Sequence, residues 1–334
     1  MSPWCSIGIR ASPVGAAQHG VYLCRPYGAC AEWKFRTTGS RPWLELYRRY
    51  AAKEAQREQN SRRLSAFGSM TRIENKFAQL KAKECKAFIP YITAGDPNLD
   101  TTLELVLALE RTGADVIELG VPFSDPIADG PVIQRATERA LRGGVTLRKV
   151  LQLGGDIRKK SEIPLVLFSY FNPLLNYGLE KLAKDAVQAG FDGVLASDLT
   201  VEESESFVRT MRAAGLNTVF LVAPTSSPER MKKIAETSTG FLYAVSRTGV
   251  TGEQRELAGD LKEFLQTLRT HTSLPIAVGF GISRPEHVLA VWQEADAAAV
   301  GSSIVKEVEQ HIGKPGLVES VAAFASWLKG SQTK

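Results

Sequence analysis

The chain has 334 residues, a length that suits one large domain with an additional segment, or two smaller domains. Its hydrophobic fraction of 44% is ordinary for a globular protein, and no stretch reaches the roughly 18 uncharged apolar residues that a membrane-spanning helix needs. The net charge of +5 is unevenly distributed, because residues 1–69 contain 11 Lys or Arg against 4 Asp or Glu, whereas the remainder contains 30 against 32. The nearly neutral body therefore disfavours a nucleic-acid-binding domain.

The N-terminal segment, residues 1–69, lacks the pattern of a packed domain. Before residue 44, apolar residues there do not recur with the two-residue spacing of a strand or the 3.6-residue spacing of a helix. Residues 44–64 form a polar stretch that is compatible with a solvated helix. Three interpretations remain open: an organelle transit peptide, a basic interaction tail, or a translation start placed upstream of the true one at Met70. The four acidic residues argue against a transit peptide, and the completeness of the body from Met70 favours the third interpretation. We therefore expect an irregular or disordered extension over 1–69 and a folded domain over 70–334.

The cysteines follow the same division. Cys85 is the single cysteine of the body, so the body cannot form an internal disulfide, which indicates an intracellular protein. The spacing of Cys24 and Cys30 does not fit a CxxC zinc or redox pair. No histidine lies at the end of a predicted strand, so no histidine-based metal site is predicted; the four are His19, His271, His287 and His311.

From about Lys86 the body alternates short apolar runs with amphipathic segments. The nearly continuous apolar character of these runs predicts strands of a parallel sheet that is buried on both faces. The eight predicted strands are 87–92, 116–119, 164–168, 193–196, 218–222, 241–244, 276–278 and 297–300. Eight strand–helix units over about 250 residues predict a (β/α)8 TIM barrel. A doubly wound open sheet is the main alternative, but no GxGxxG follows the first strand.

Helical patterns fill the connections between these strands. Residues 101–111 and 179–189 each place apolar side chains along one stripe. Residues 201–214 begin with two acidic residues, which suit a helix N-terminus. A glycine follows many of the predicted helices and predicts their C-terminal caps, as at Gly113, Gly190 and Gly215.

The end of the second strand carries the first candidate catalytic residue, because catalytic groups of a TIM barrel lie at the C-terminal ends of its strands. Glu118 lies within an apolar run, where burial raises a carboxyl pKa and suits the group to proton transfer near neutral pH. An ion pair with a nearby Arg or Lys is the alternative. In the following loop, a turn or capping role is the preferred interpretation of Asp125. Asp129 is a candidate both for catalysis and for capping the helix that starts at Pro131.

Glycine-rich loops after strands seven and eight indicate a phosphate site. Residues 279–283 and 301–303 occupy the two loops that usually bind phosphate in this fold, the second at a helix N-terminus. The loop at 246–253, after strand six, has the glycine hinges of a mobile lid, with a plain surface connection as the alternative. Large side chains at strand ends predict a pocket for a flat apolar substrate, and they are Phe88, Tyr91, Phe168, Tyr170, Phe171, Leu195 and Tyr243.

The run at residues 118–131, ELGVPFSDPIADGP, resembles the signature of the tryptophan synthase alpha subunits. Further landmarks of that family follow in order at residues 90–97, 246–252, 279–283 and 300–305. The resemblance covers about residues 70–329, and residues 1–69 have no counterpart in it. It implies a TIM-barrel catalytic domain with lyase activity, which cleaves indole-3-glycerol phosphate into indole and glyceraldehyde 3-phosphate in L-tryptophan biosynthesis.

The resemblance also implies roles for individual residues. It makes Glu118 the general acid and base that protonates the indole ring carbon and helps to remove the glycerol hydroxyl proton. Asp129 is implied to accept the indole N–H and to stabilise the positive charge of the intermediate, while Thr251 closes the strand-six loop onto it. The other implied substrate-binding residues are Tyr91, Tyr170 and Leu195 around the indole, Tyr243 and Phe280 near the substrate, and Gly252, Gly281, Gly301 and Ser302 at the phosphate.

The family resemblance further implies an α2β2 complex. No cofactor is implied in this subunit, whereas the beta partner uses pyridoxal phosphate to join indole to serine. Residues 125–131, the loop containing Val250 and residues 172–176 resemble the partner-facing parts. A stand-alone lyase that releases free indole, a non-catalytic activator of the beta subunit and another phosphate-sugar barrel are the alternatives. The expected location is cytoplasmic, or a plastid if residues 1–69 are a transit peptide.

Overall fold

The computed structural model describes residues 18–24, 30–36, 70–245, 254–279 and 281–330, with the backbone course alone for 18–24, 30–36 and 254–260. The predicted helix at 44–64 and the loop at 246–253 lie outside the described residues. Thr251, Gly252 and Phe280 lie outside them as well. The predictions for these segments and residues therefore stay predictions.

The chain divides into two compact units, residues 1–69 and 70–334. In the first unit, β1 (Gln18–Cys24) and β2 (Cys30–Arg36) pair antiparallel along their whole length. The sequence pattern does not predict these strands, because the segment has no sustained alternation of apolar and polar residues.

The second unit is built on a parallel sheet. Its strands are β3 (Ala87–Thr93), β4 (Ile117–Gly120), β5 (Leu165–Ser169), β6 (Gly193–Ala196), β7 (Asn217–Val219), β8 (Leu221–Val222), β9 (Leu242–Val245), β10 (Ile276–Gly279) and β11 (Ala297–Val300). Their spatial order is β7-β6-β5-β4-β3-β11-β10-β9-β8. Because only Phe220 separates β7 from β8, the two ends of the sheet belong to one chain segment and the sheet forms a nearly closed barrel. The eight predicted strands and the TIM-barrel prediction are confirmed.

The period-two alternation of the strands decides which side chains enter the barrel. The barrel interior holds a small cluster of buried residues that includes Ile89 of β3 and Leu195 of β6. Their chain neighbours, such as Phe88 and Val194, belong instead to a larger cluster between the barrel and the surrounding helices. Burying each large side chain in these clusters stabilises the fold by roughly 1.5–3 kcal/mol.

Twelve helices are present in the described part of the second unit, and they cover the barrel. They are α1 (Arg72–Ala82), α2 (Leu99–Arg111), α3 (Pro131–Arg142), α4 (Leu147–Arg158), α5 (Phe171–Tyr177), α6 (Leu179–Gln188), α7 (Glu205–Ala213), α8 (Pro228–Thr237), α9 (Gln254–Arg269), α10 (Pro285–Glu294), α11 (Ser302–His311) and α12 (Leu317–Lys329). Across the described ranges, none of these helices has both the length and the apolar character needed to cross a bilayer.

The predicted helix boundaries agree with the structure in most places. The glycines predicted to end helices adopt the left-handed conformation, with φ of 92° at Gly113 and 78° at Gly190. The prediction that a helix begins at residue 201 is wrong, because α7 begins at Glu205. The Ser204 hydroxyl donates a hydrogen bond to the Val201 carbonyl oxygen at 3.0 Å, which supports a turn in that position.

Helix α1 closes the N-terminal end of the barrel. Thr71 and Glu74 form a reciprocal capping box at its start, and the Thr71 hydroxyl also donates to the Asn217 side-chain oxygen at 2.7 Å. Ile73 and Phe77 are buried against the barrel, where the ring of Phe77 lies 5.8 Å from that of Phe241. The C-terminal ends of the strands lie at the opposite end of the barrel, called its mouth below.

Candidate active site

Glu118 points into the barrel from β4, and its side chain is buried, with 1% of the residue exposed. Its Oε1 atom is buried without a hydrogen-bond partner. Burial raises the pKa of this carboxyl to about 8, and no cation among the described residues opposes the effect. Within the described part of the chain, Glu118 therefore has no ion-pair partner. Glu118 is protonated at neutral pH and holds a proton that it can donate to a ligand.

Two tyrosines share the barrel interior with Glu118. Tyr91 of β3 lies directly opposite Glu118 in the strand register, and Tyr243 lies on β9. Burial, aided by the carboxylates of Asp129 and Glu118 once both are ionised, raises the pKa of Tyr91 far above its ordinary value. Burial and the ionised form of Glu118 raise the pKa of Tyr243 in the same direction. Both hydroxyls are therefore neutral around the acid.

Two glycines provide the space that these hydroxyls occupy. A Cβ atom built on Gly120 would lie 2.1 Å from the Tyr91 hydroxyl oxygen. A Cβ atom built on Gly279 would lie 2.1 Å from the Tyr243 hydroxyl oxygen. Sequence reasoning did not assign this role to either glycine, although a glycine at a strand end does signal the close approach of another group.

The Asp129 loop is held from two sides. The Tyr170 hydroxyl accepts a hydrogen bond from the Ala128 N–H at 2.9 Å, and the Gln134 side-chain amide donates to the Asp129 carbonyl oxygen at 2.9 Å. Burial raises the pKa of the Asp129 carboxyl, and a hydrogen bond from Tyr170 acts in the opposite direction. These contacts place the carboxylate beside the ring of Tyr170, which in turn packs 5.3 Å from the ring of Phe123.

The capping alternative for Asp129 is wrong. The N-cap of α3 is Gly130, with Pro131 at the first helical position and no side-chain capping bond. The carboxylate of Asp129 is therefore not engaged by the helix. Asp125 is exposed and accepts a hydrogen bond from the Ser124 hydroxyl, and its carbonyl oxygen accepts the Ile127 N–H at 2.9 Å. This geometry supports the interpretation of Asp125 as a turn residue.

The structure brings only part of the predicted aromatic set together inside the barrel. Phe168 contacts Tyr91 edge-on, with ring centroids 5.3 Å apart, and Leu195 is fully buried in the interior cluster. The prediction is wrong for Phe88, whose side chain lies outside the barrel because it alternates with the inward-facing Ile89. It is also wrong for Phe171, which packs edge-on against Phe207.

The two predicted phosphate loops lie next to each other. Helix α11 begins at Ser302 with Gly301 as its N-cap, and no side chain caps it, so its first N–H groups remain available to an anion. Gly281 adopts the left-handed conformation with φ of 71°, which turns the loop after β10 sharply. The Ser303 hydroxyl donates to the Ile282 carbonyl oxygen at 2.8 Å and joins the loops.

An ion-pair network that sequence reasoning missed connects α3 with α11. The Arg139 guanidinium donates to both carboxylate oxygens of Asp96 at 2.7 and 2.9 Å, and also to Glu309 at 2.7 Å. Arg135 forms a bidentate pair with Glu309 at 2.8 and 2.7 Å, and these hydrogen bonds hold the pKa of Glu309 at about 2. The helix that follows the Asp129 loop is thereby tied to the helix that begins at Ser302.

The part of the chain that the structure describes contains no group of three or more His, Cys, Asp or Glu side chains that could hold a metal ion. The described residues at the mouth supply carboxyls, tyrosine hydroxyls and main-chain N–H groups. A protonated acid, a second carboxylate and an anion site at one barrel end suit proton transfer within a phosphorylated substrate.

Comparison with known sequences gives consistent matches. Residues 77–330 match the family model for the tryptophan synthase alpha chain. The tryptophan synthase alpha chain of Solibacter usitatus (strain Ellin6076) is 54% identical over 260 residues, which cover 78% of this chain and 97% of the relative. The corresponding chain of Geotalea uraniireducens (strain Rf4) is 48% identical, with the same coverage of 78% and 97%.

Solved structures give the same result. The crystal structure of tryptophan synthase subunit alpha from Legionella pneumophila str. Paris has a TM-score of 0.73 at 38% identity, covering 78% of this chain and 97% of that one. A chain of the tryptophan synthase complex from Pyrococcus furiosus has a TM-score of 0.68 at 37% identity, covering 73% and 98%.

Proposed function

The chain belongs to the tryptophan synthase alpha chain family, and from this premise we propose how its residues carry out the reaction. The protein is a lyase of L-tryptophan biosynthesis that cleaves indole-3-glycerol phosphate to indole and glyceraldehyde 3-phosphate. The observation that carries the proposed mechanism is Glu118, a buried carboxyl at the barrel mouth with an unpartnered oxygen and a pKa of about 8.

Glu118 supplies the proton that the reaction moves. Its neutral carboxyl donates a proton to the ring carbon that bears the glycerol chain. The bond between this carbon and the side chain then breaks, and its electron pair restores the aromatic indole. The hydroxyl on the side-chain carbon loses its proton to the Glu118 carboxylate and becomes the aldehyde. One proton moves from oxygen to carbon, and Glu118 returns to its starting state.

Asp129 acts on the other side of the indole ring. Protonation of the ring carbon places a positive charge on the indole nitrogen, and a carboxylate that accepts the indole N–H stabilises this charge. The contacts of Tyr170 and Gln134 with the loop fix the carboxylate before the substrate binds. Such preorganisation avoids a reorganisation cost during the chemical step.

The neutral tyrosines and the glycine loops position the rest of the substrate. Tyr91, Tyr170, Leu195 and Tyr243 line the apolar part of the pocket, which suits a flat ring. Gly281, Gly301 and Ser302 bind the phosphate through main-chain N–H groups, assisted by the dipole of α11. Gly252, Phe280 and Thr251 complete this proposal on the strength of the family resemblance alone.

The beta subunit is the partner of this chain in an α2β2 complex, and the pyridoxal phosphate of the complex belongs to the beta subunit. Two apolar side chains at the barrel mouth support this proposal, because Ile127 is 87% exposed and Leu175 is 53% exposed. They lie in the two described segments, 125–131 and 172–176, that resemble the partner-facing parts of the family. A partner that covers both segments would remove these two apolar side chains from water.

The catalytic domain in this proposal is residues 70–334, with residues 1–69 dispensable for cleavage. The capping box at Thr71 supports this boundary, because it completes α1 with residues that lie after Met70. We further propose a cytoplasmic location, in keeping with the single cysteine of the body. Activity of a chain that begins at Met70 tests the first proposal, and cell fractionation tests the second.

The central experiment measures indole release from indole-3-glycerol phosphate by the full-length chain, with and without a beta subunit. Weak release alone that rises sharply with the partner is the expected result. Strong release by the chain alone would indicate a stand-alone lyase, and no release in either condition would contradict the proposed mechanism. Glu118→Gln, assayed in parallel, shows whether any release depends on the proposed acid.

A further inference from the structure

The loop that follows β10 is attached to two helices by side chains that the proposed reaction does not use. His287 lies on α10 with 9% of the residue exposed, and its Nδ1 atom accepts a hydrogen bond from the Ser283 N–H at 3.3 Å. Ser303 lies on α11, and its hydroxyl donates to the Ile282 carbonyl oxygen at 2.8 Å. Two consecutive residues of the loop are therefore held from two different helices.

These contacts fix the orientation of main-chain groups beside the phosphate site. The Ile282 side chain is buried in the cluster outside the barrel, which anchors the loop immediately after the sharp turn at Gly281. The carbonyl oxygen of Ile282 carries partial negative charge and would repel a phosphate if it faced one. The hydrogen bond that it accepts from the Ser303 hydroxyl fixes the direction of that oxygen.

From these contacts we propose that His287 and Ser303 are positioning residues that hold the Gly281 loop against the N-terminus of α11 and thereby set the affinity for the substrate's phosphate. The inference rests on the proposed phosphate site. It assigns neither side chain a contact with the substrate. The imidazole acts as an acceptor for a main-chain N–H, which requires the neutral ring with its proton on Nε2.

The ordinary alternative is that His287 only stabilises the start of α10, since it is the third residue of that helix and hydrogen-bonds just before it. A purely structural role changes the free energy of unfolding without changing ligand affinity in the folded protein. Positioning of the loop changes the affinity for phosphate. The two roles therefore separate when stability and phosphate affinity are measured on the same variants.

The experiment titrates inorganic phosphate into the full-length protein by calorimetry and compares four variants with the parent chain. His287→Ala removes the acceptor and is expected to weaken phosphate binding about tenfold, equivalent to about 1.4 kcal/mol. Ser303→Ala is expected to weaken it about threefold. His287→Gln keeps an acceptor oxygen and is expected to restore most of the affinity lost in His287→Ala. His311→Ala is the matched control, because the hydrogen bond and the ion pair of His311 are both with Glu307 of its own helix.

Kinetics with indole-3-glycerol phosphate give an independent measurement. The KM should rise in His287→Ala and Ser303→Ala while kcat changes much less, because the acid and its proton are untouched. Unchanged phosphate affinity in a folded His287→Ala protein would overturn the inference, and so would a His287→Gln protein as weak as His287→Ala. If the parent chain binds no phosphate, both the proposed phosphate site and this inference are contradicted. If the variants show the expected phosphate affinities but the parent releases no indole, only the proposed mechanism is contradicted.

Discussion

The two halves of the proposed site would recognise the substrate with different parts of the chain. In the acid half, formed by the ends of β3, β4 and β5, the proposed chemistry depends on side chains. The Oε1 atom of Glu118 is buried without a hydrogen-bond partner, and Tyr170 holds the Asp129 loop. In the phosphate half, at Gly281 and Gly301, the main chain presents N–H groups, and side chains only fix the loops. The acid half should therefore be sensitive to the chemistry of single side chains, and the phosphate half to loop geometry and charge.

The largest effect is expected at Glu118. Glu118→Gln keeps the size of the side chain but removes the proton that the reaction moves, so kcat should fall by about 10³-fold or more. Circular dichroism and a phosphate titration on the same protein should match the parent, because the phosphate half is unaltered. Turnover within tenfold of the parent would show that Glu118 is not the acid.

Asp129→Asn should have the second-largest effect. The amide can still occupy the loop, but it cannot stabilise the positive charge on the indole, so kcat should fall by about 10²-fold. Asp125→Asn in the same loop is the matched control and should cost far less, because Asp125 is exposed and serves the turn. Equal losses in the two variants would point to loop disorder in place of charge stabilisation.

Gly120→Ala tests the space behind the acid half. The added Cβ would lie 2.1 Å from the Tyr91 hydroxyl oxygen, so the buried ring must shift, at a cost of about 1–3 kcal/mol in the free energy of unfolding. Gly155→Ala in α4 is the control, because nothing lies within 4 Å of its added Cβ. It should stabilise the protein by about 0.5–1 kcal/mol. Urea unfolding measures the free energy of unfolding of both variants. A change in the same direction in the two variants would contradict the steric argument.

The buried acid should also make stability depend on pH. Folding raises the pKa of Glu118 to about 8, whereas an exposed glutamic acid has a pKa of about 4.3. Between these values the folded protein binds a proton that the unfolded chain releases, so this group lowers the free energy of unfolding as pH rises through that window. Glutamine does not titrate, so it escapes this loss. The free energy of unfolding of Glu118→Gln, relative to that of the parent, should therefore increase by on the order of 1–3 kcal/mol from pH 5 to pH 9. A constant difference would exclude the raised pKa.

The smallest effects are expected in the phosphate half. Ser302→Ala removes an exposed hydroxyl but keeps the main-chain N–H, so KM should rise only about threefold. Ser302→Asp places a negative charge at the helix N-terminus, which stabilises α11 but repels phosphate, so Tm should rise while KM increases about tenfold. A rise in KM for Ser302→Ala as large as for Ser302→Asp would show that this half also depends on side-chain chemistry.

The sequence predicted the barrel well because its strands are read from local composition. Runs buried on both faces are nearly continuous in apolar residues, and Glu118 was conspicuous because it interrupts one of them. The same argument failed for Phe88, since an apolar run does not reveal which residue faces inward. The register of the whole barrel decides this, and it places Ile89 inside and Phe88 outside.

Contacts between distant segments were beyond the reach of sequence reasoning. The Arg139 network joins residues 43 and 170 positions apart, and nothing in the local pattern marks Asp96 or Glu309 as its partners. The engagement of His287 with Ser283 is local, four residues apart. A buried helical histidine has many roles, however, and the structure alone shows which atom its imidazole meets.

The fit between Gly120 and Tyr91 has a consequence for the history of the family. The tyrosine hydroxyl fills the volume that any larger residue at position 120 would need, so position 120 cannot gain a side chain while Tyr91 stays in place. Among homologues the two sites should be inherited as a linked pair, with a side chain at position 120 accompanied by a shorter residue at position 91. Gly279 and Tyr243 form a second such pair, so the same substitution pattern should have arisen twice within one barrel.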